Sequence, residues 1–115
     1  MLNYEGQCHC GAVQFAVEIR DFDCWECNCS LCIRTGAIYH RVDASAFTIT
    51  AGQDHLINYG SRDFVVHKFC KKCHITCCSE VTFADEQLVC VNLRCCPDVD
   101  LRQLAIERFS GASTF

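Results

Sequence analysis

Cys27-x-Cys29-x-x-Cys32 sets three thiols on a loop too short to bury them by ordinary packing. Three convergent sulfurs most often hold a soft dication, and Zn²⁺ is the usual one. Structural zinc sites are closed by four protein ligands, whereas reactive sites keep one position for water or substrate. A count of three therefore points to chemistry. Cys24, just upstream in Cys24-Trp25-Glu26-Cys27, competes as a fourth ligand that would close the site; the other reading makes it a small buried residue.

Two more pairs, Cys8-x-Cys10 and Cys70-x-x-Cys73, lie far apart in the chain, each at the end of a β-rich run. A tetrahedral four-sulfur site made of two such knuckles pins two hairpins together. Redox thiols or plain buried cysteines are the competing reading. The binding energy of a structural zinc is largely folding energy. The adjacent pairs Cys77-Cys78 and Cys95-Cys96 point to opposite faces of a strand and read as core filling, as does Cys90 among its apolar neighbours. His40 follows the three-cysteine loop by one strand and is a candidate proton shuttle. His55 and His67 read as solvent-facing strand positions.

The elements that must position these groups are short and β-rich. Ala12 to Arg20 alternates, with Val13, Phe15, Val17 and Ile19 on one face. Residues 21–32 are polar and cysteine-rich and read as a loop. Further runs follow at 37–42, 47–50, 56–59, 64–69, 81–83 and 88–93, separated by turn residues, the pattern of an antiparallel sheet protein. The tail is either a short helix capped by Asp100 or a last strand through Leu104 and Ile106. The fold class is mostly β, in one domain over residues 1–115.

Composition narrows the function classes. Thirteen cysteines in 115 residues would mark a disulfide scaffold in a short secreted chain. Met1 to Glu5 carries neither the basic nor the apolar region of a signal peptide, and an odd, tightly spaced set of thiols suits a reducing compartment. No apolar run approaches the ~20 residues that span a bilayer. The reading is a cytoplasmic protein with thiolates available to metal. A formal charge of −4 argues against a nucleic-acid surface.

Three motifs together carry a resemblance: Gly6-x-Cys8-His9-Cys10-Gly11-Ala12-Val13-x-Phe15, Cys27-Asn28-Cys29-Ser30-x-Cys32 and Phe69-Cys70-x-x-Cys73. They are similar to the glutathione-dependent formaldehyde-activating enzyme family, which includes the centromere protein V domain. Cys95 and Glu107-Arg108-Phe109-Ser110-Gly111 resemble the latter branch. The resemblance implies a β-tent fold of small antiparallel sheets with zinc-binding cysteine knuckles. It implies two Zn²⁺ per chain: a structural ion on Cys8, Cys10, Cys70 and Cys73, and a catalytic one on Cys27, Cys29 and Cys32, open to a glutathione sulfur or water. The implied activity is condensation of formaldehyde with glutathione to S-hydroxymethylglutathione, a carbon–sulfur lyase reaction. The chain departs from the family pattern at His74, where a glycine usually follows the knuckle.

The chemistry suits such a site. Zn²⁺ with three thiolates carries a net charge near −1, which blunts its acidity towards water but leaves thiol exchange easy. Thiol addition to a small aldehyde is thus favoured over hydrolysis. Glutathione carries two carboxylates, so Arg34, Arg41, Lys71 and Arg94 are the candidate counter-charges. Two rival readings remain at this level: a non-enzymatic zinc-stabilised binding module like the centromere protein V domain, and a thiol-based metal or redox buffer.

Overall fold

The computed structural model describes residues 2–111, apart from the side chains of residues 61 and 62. Ten strands follow in chain order: β1 (Leu2–Gln7), β2 (Gln14–Ile19), β3 (Cys24–Cys27), β4 (Tyr39–Asp43), β5 (Phe47–Ala51), β6 (Leu56–Arg62), β7 (Val65–Cys70), β8 (Thr76–Phe83), β9 (Glu86–Asn92) and β10 (Ile106–Phe109). A short α-helical turn, α1 (Cys32–Thr35), interrupts them, with several 3₁₀ turns between strands. Two sheets result: a three-stranded β1-β2-β5 and a seven-stranded β10-β3-β4-β9-β8-β7-β6. All pairings are antiparallel except β3 with β10, which is parallel. Among the described residues no helix is long and apolar enough to cross a membrane.

The alternating run read from the sequence is β2. Its Phe15, Val17 and Ile19, with Val13 just before it, are all buried in the main core between the sheets. Phe15 lies against Phe47 of β5, ring centroids 5.2 Å apart. Gly52 sits at a φ of +80°, and a Cβ there would collide with the Ala12 carbonyl. Only glycine lets the end of β5 come this close to the start of β2.

Three expectations are corrected. Residues 21–32 are not one loop, because Cys24–Cys27 pairs with both Tyr39–His40 and Ile106–Phe109 as an inner strand. The tail is not a choice between helix and strand. Asp100 Oδ1 accepts from the Arg102 amide and caps a 3₁₀ turn, Leu101–Gln103, and β10 follows. Cys77 and Cys78 do not face opposite ways: β8 has a bulge there, pairing Cys78 with Lys68 and Thr76 with Phe69, so both thiols enter the main core. Core filling does hold for all of Cys77, Cys78, Cys90, Cys95 and Cys96, each buried.

The large sheet has two faces of different composition. Cys24, His40, Cys78 and Val91 belong to one and are buried. Trp25, Cys27, Tyr39, Ser79, Val81 and Cys90, one residue out of step with them, line a cavity on the other. Asn92 stitches the structure at the end of β9. Its Oδ1 accepts from the Ile38 and Arg94 amides at 3.3 and 3.1 Å, and its Nδ2 donates to the Thr76 carbonyl at 2.8 Å. Asn92→Ala leaves these buried groups without partners and is expected to cost about 3 kcal/mol, measured by denaturant unfolding; a loss under about 0.5 kcal/mol would contradict this role.

Candidate metal centres

The first centre forms where two tight turns meet. The chain leaves β1, makes a turn closed by the Gly11 amide on the Cys8 carbonyl (3.2 Å), and enters β2. The β7–β8 turn is closed by the His74 amide on the Cys70 carbonyl (2.8 Å). His74 stands at a φ of +64°, so the left-handed turn that a glycine would ease is kept by a histidine. Cys8, Cys10, Cys70 and Cys73 thereby converge, all four sulfurs within 4.8 Å of one another. The centre joins the small sheet to the large one.

Its spacing suits zinc. Zn–S bonds of ~2.3 Å in a tetrahedron place sulfurs roughly 3.8 Å apart. Cys8 and Cys10 Sγ are 3.6 Å apart, and Cys10 and Cys70 Sγ are 3.7 Å apart. Backbone amides already point at the sulfurs, Val13 N to Cys8 Sγ at 3.3 Å and Lys72 N to Cys70 Sγ at 3.4 Å. Burial works against ionising Cys73, but the Cys10 and Ile75 amides and the Cys8 and Cys70 thiols bring its pKa down to about 6. Cys8 moves the other way, to about 11, chiefly through burial. Four thiols this close cannot all ionise without a cation among them.

The second centre is built on the end of β3. Cys27 is its last residue, and the chain then turns into α1, with the Ile33 amide donating to the Cys29 carbonyl at 2.9 Å. Cys27, Cys29 and Cys32 bring their sulfurs within 4.8 Å of one another. The Cys29 amide donates to Cys27 Sγ (3.4 Å) and the Cys32 amide to Cys29 Sγ (3.3 Å). Burial opposes ionisation of Cys29, and the Cys32 and Leu31 amides with the Cys32 and Cys27 thiols overcome it and lower its pKa. Burial, then the neighbouring Cys29 and Cys27 sulfurs, raises Cys32. A donor set of three soft sulfurs fits Zn²⁺ and leaves a coordination position over.

Cys24 does not join this group among the described residues. Strand parity is the reason: three positions before Cys27, it faces the opposite side of β3 and is buried in the main core. His40, the expected proton shuttle, shares that core face. It pairs across the strands with Cys24, its Nδ1 accepts from the Asp23 amide at 3.2 Å, and burial lowers its pKa. It is a neutral core histidine.

His67, expected at the solvent, instead lines the cavity beside the three sulfurs, its Nδ1 2.7 Å from Ser79 Oγ. The signal was present in the sequence, since His67 sits two residues from Val65 and so shares its apolar face.

Two hollows flank the second centre. One, of about 180 Å³, is the apolar chamber on the sheet face, reached by Cys27, Cys29 and Cys32 together. The other, of about 360 Å³, is a mixed groove in which Glu26, Asn28 and Arg108 join Cys27 and Cys32 alongside Ile33, Ala37 and Phe109. Of the expected counter-charges, Arg94 does not line the groove but donates its Nε to the carbonyl of Gly36, which does, at 2.7 Å, and Arg41 lies opposite Cys90 on β4 and lines neither hollow. Arg34 donates to the Ser30 carbonyl at 2.7 Å, and Lys71 belongs to the turn of the first centre. Arg108, 3.2 Å from Glu26, was not anticipated.

The comparisons with known proteins agree with this geometry. The model of the glutathione-dependent formaldehyde-activating enzyme family matches residues 3–108. The chain belongs to that family. A crystal structure of a Rhodobacter sphaeroides protein is similar over 91% of this chain and 99% of that one, at 30% identity and a TM-score of 0.81. Membership supports a role with glutathione and formaldehyde in general terms.

A structural requirement of this family member emerges at Gly111. A Cβ there would stand 2.5 Å from Cys27 Sγ and 3.2 Å from Cys29 Cβ, so the chain after β10 lies directly on the loop. Gly111→Ala is expected to displace Cys27 and to lower metal content to about one ion per chain, read by elemental analysis; two retained ions would contradict the contact. Stripping both ions with a chelator is expected to unfold the chain, followed by circular dichroism. A metal-free form with unchanged thermal stability would overturn the role of the first centre.

Proposed function

We propose that this chain is a zinc-dependent carbon–sulfur lyase-like enzyme that joins a small thiol, glutathione, to formaldehyde or a related aldehyde, giving an S-hydroxymethyl adduct. The observation that carries the reading is the convergence of Cys27, Cys29 and Cys32 between two hollows, with Cys24 turned away from them. A closed four-sulfur site would favour a binding module instead; a count of three supports an enzyme. The first centre is assigned a structural Zn²⁺ and the second a catalytic one. Thirteen free thiols suit the cytoplasm.

Zn²⁺ held by Cys27, Cys29 and Cys32 would supply a soft Lewis acid that takes up a thiol and eases its deprotonation. The chain's own groups do the rest. The Cys29 and Cys32 amides hold negative charge on the loop sulfurs. Arg108, which lines the groove, is assigned a glutathione carboxylate. The apolar chamber beside the sulfurs offers the aldehyde a wall of low polarity. His67, held by Ser79, is the ionisable ring on the chamber wall and is assigned the proton passing from thiol to product hydroxyl.

Cys29→Ser is expected to reduce the enzyme-dependent rate roughly a hundredfold or more while leaving the fold and the first ion in place. NMR exchange spectroscopy on equilibrated glutathione and formaldehyde measures that rate directly. Full activity in the substituted protein would defeat the mechanism. Arg108→Ala is expected to raise KM for glutathione about tenfold with kcat little changed, since it removes a contact to the non-reacting end of the substrate. An unchanged KM would remove Arg108 from the thiol site.

A further inference from the structure

The chamber on the sheet face is larger and more apolar than formaldehyde requires. Its volume is about 180 Å³ and its walls include Trp25, Phe64, Val65, Val81 and Phe109. An apolar cavity of about 150 Å³ accommodates benzene, whereas formaldehyde has only two heavy atoms. Among the described side chains no lysine or arginine lines the chamber, so these walls offer the carboxylates of glutathione no counter-charge. The groove holding Arg108 is a separate hollow, and Cys27 and Cys32 line both. The two reactants are thus given separate approaches, one almost wholly apolar and one that carries charged side chains.

One polar group in the chamber wall is poorly satisfied. Tyr39 is 4% exposed, and its hydroxyl has Cys32 and Ser79 as neighbours but makes no well-formed hydrogen bond to either. A buried O–H without a partner is costly unless a ligand completes it. An oxygen close to the sulfurs at the inner end of an otherwise apolar ligand would do so.

We propose that the aldehyde taken by this site carries an apolar body the size of a benzene ring or a short alkyl chain. That body seats against Trp25, Phe64, Val65 and Val81, with its oxygen on the Tyr39 hydroxyl. This rests on the thiol-addition reading above and names its carbonyl substrate. The step balances without an oxidant. The thiol gives up its proton, its sulfur forms a bond to the carbonyl carbon, and the carbonyl π pair moves to oxygen, which takes a proton; the product is a hemithioacetal. Each methylene buried in the chamber strengthens binding about fourfold.

Trp25 is the one tryptophan of the chain and lines the chamber, so its fluorescence reports occupancy directly. Hexan-1-ol, which cannot react, is titrated into the metal-loaded protein with methanol as control. A saturable change with hexan-1-ol alone, weakened tenfold or more in Val65→Phe and several-fold in Tyr39→Phe, supports the proposal. Absence of a saturable change overturns it. Should Val65→Phe not fold, the alcohols from propanol to heptanol on the unaltered protein decide: affinity climbing with chain length supports the chamber, and affinity independent of length overturns it. In parallel, exchange spectroscopy compares hexanal with formaldehyde as partner for glutathione. Acceleration of hexanal exchange supports the inference, and acceleration confined to formaldehyde overturns this inference alone. Hexan-1-ol binding with no acceleration of either aldehyde overturns the thiol-addition reading, and with it the aldehyde assigned here.

Discussion

Successive residues of a strand face opposite ways, and that constraint decides which sulfurs of this chain can meet. On β3 it sends Cys24 into the core and Cys27 to the far face of the sheet, where Cys29 and Cys32 join it. On β4 it buries His40 and turns Tyr39 to the chamber; on β7 and β8 it brings His67, Ser79 and Val81 to the same surface. β10, parallel to β3 with Ile106 beside Cys24 and Phe109 beside Cys27, follows the same division. A one-residue slip of β3 would exchange the faces, turning Cys24 to the chamber side and Cys27 to the core. The second centre has three protein sulfurs because of register.

The two centres differ in what surrounds them. The first is made of turns at the ends of two hairpins and ties one sheet to the other, so a metal held there would contribute to folding. The second is carried by a strand end and a single helical turn, with Gly111 pressed on the loop from the other side. Amides donate to sulfurs in both, which spreads the charge that clustered thiolates would otherwise concentrate. Three thiolates on a dication leave a net charge near −1, a poor activator of water and a ready acceptor of another sulfur.

Much of this was legible in the sequence where spacing is short and its meaning is chemical. Cys8-x-Cys10, Cys27-x-Cys29-x-x-Cys32 and Cys70-x-x-Cys73 can converge with little help from the fold, and they do. Val13, Phe15, Val17 and Ile19 gave β2 by period alone. Where the outcome depended on long-range pairing, local pattern misled. Cys24–Cys27 looks like a polar loop because its partners are Tyr39, His40 and β10, the last some eighty residues downstream. Reading it as loop left the role of Cys24 open and made His40 a site residue. The bulge at Cys77 is likewise set by β7, and no residue of β8 announces it. Gly111 and Arg108 became site residues only because β10 lies beside β3.

The count of sulfurs on the second ion is the quantity on which the catalytic account turns. Zinc K-edge absorption on protein loaded with two ions, before and after adding glutathione, measures the mean sulfur coordination per zinc. With four cysteines at one centre and three at the other, the account predicts a mean between three and four that climbs to four as the thiol binds. A mean of four before any thiol is added, or no change on its addition, would contradict it.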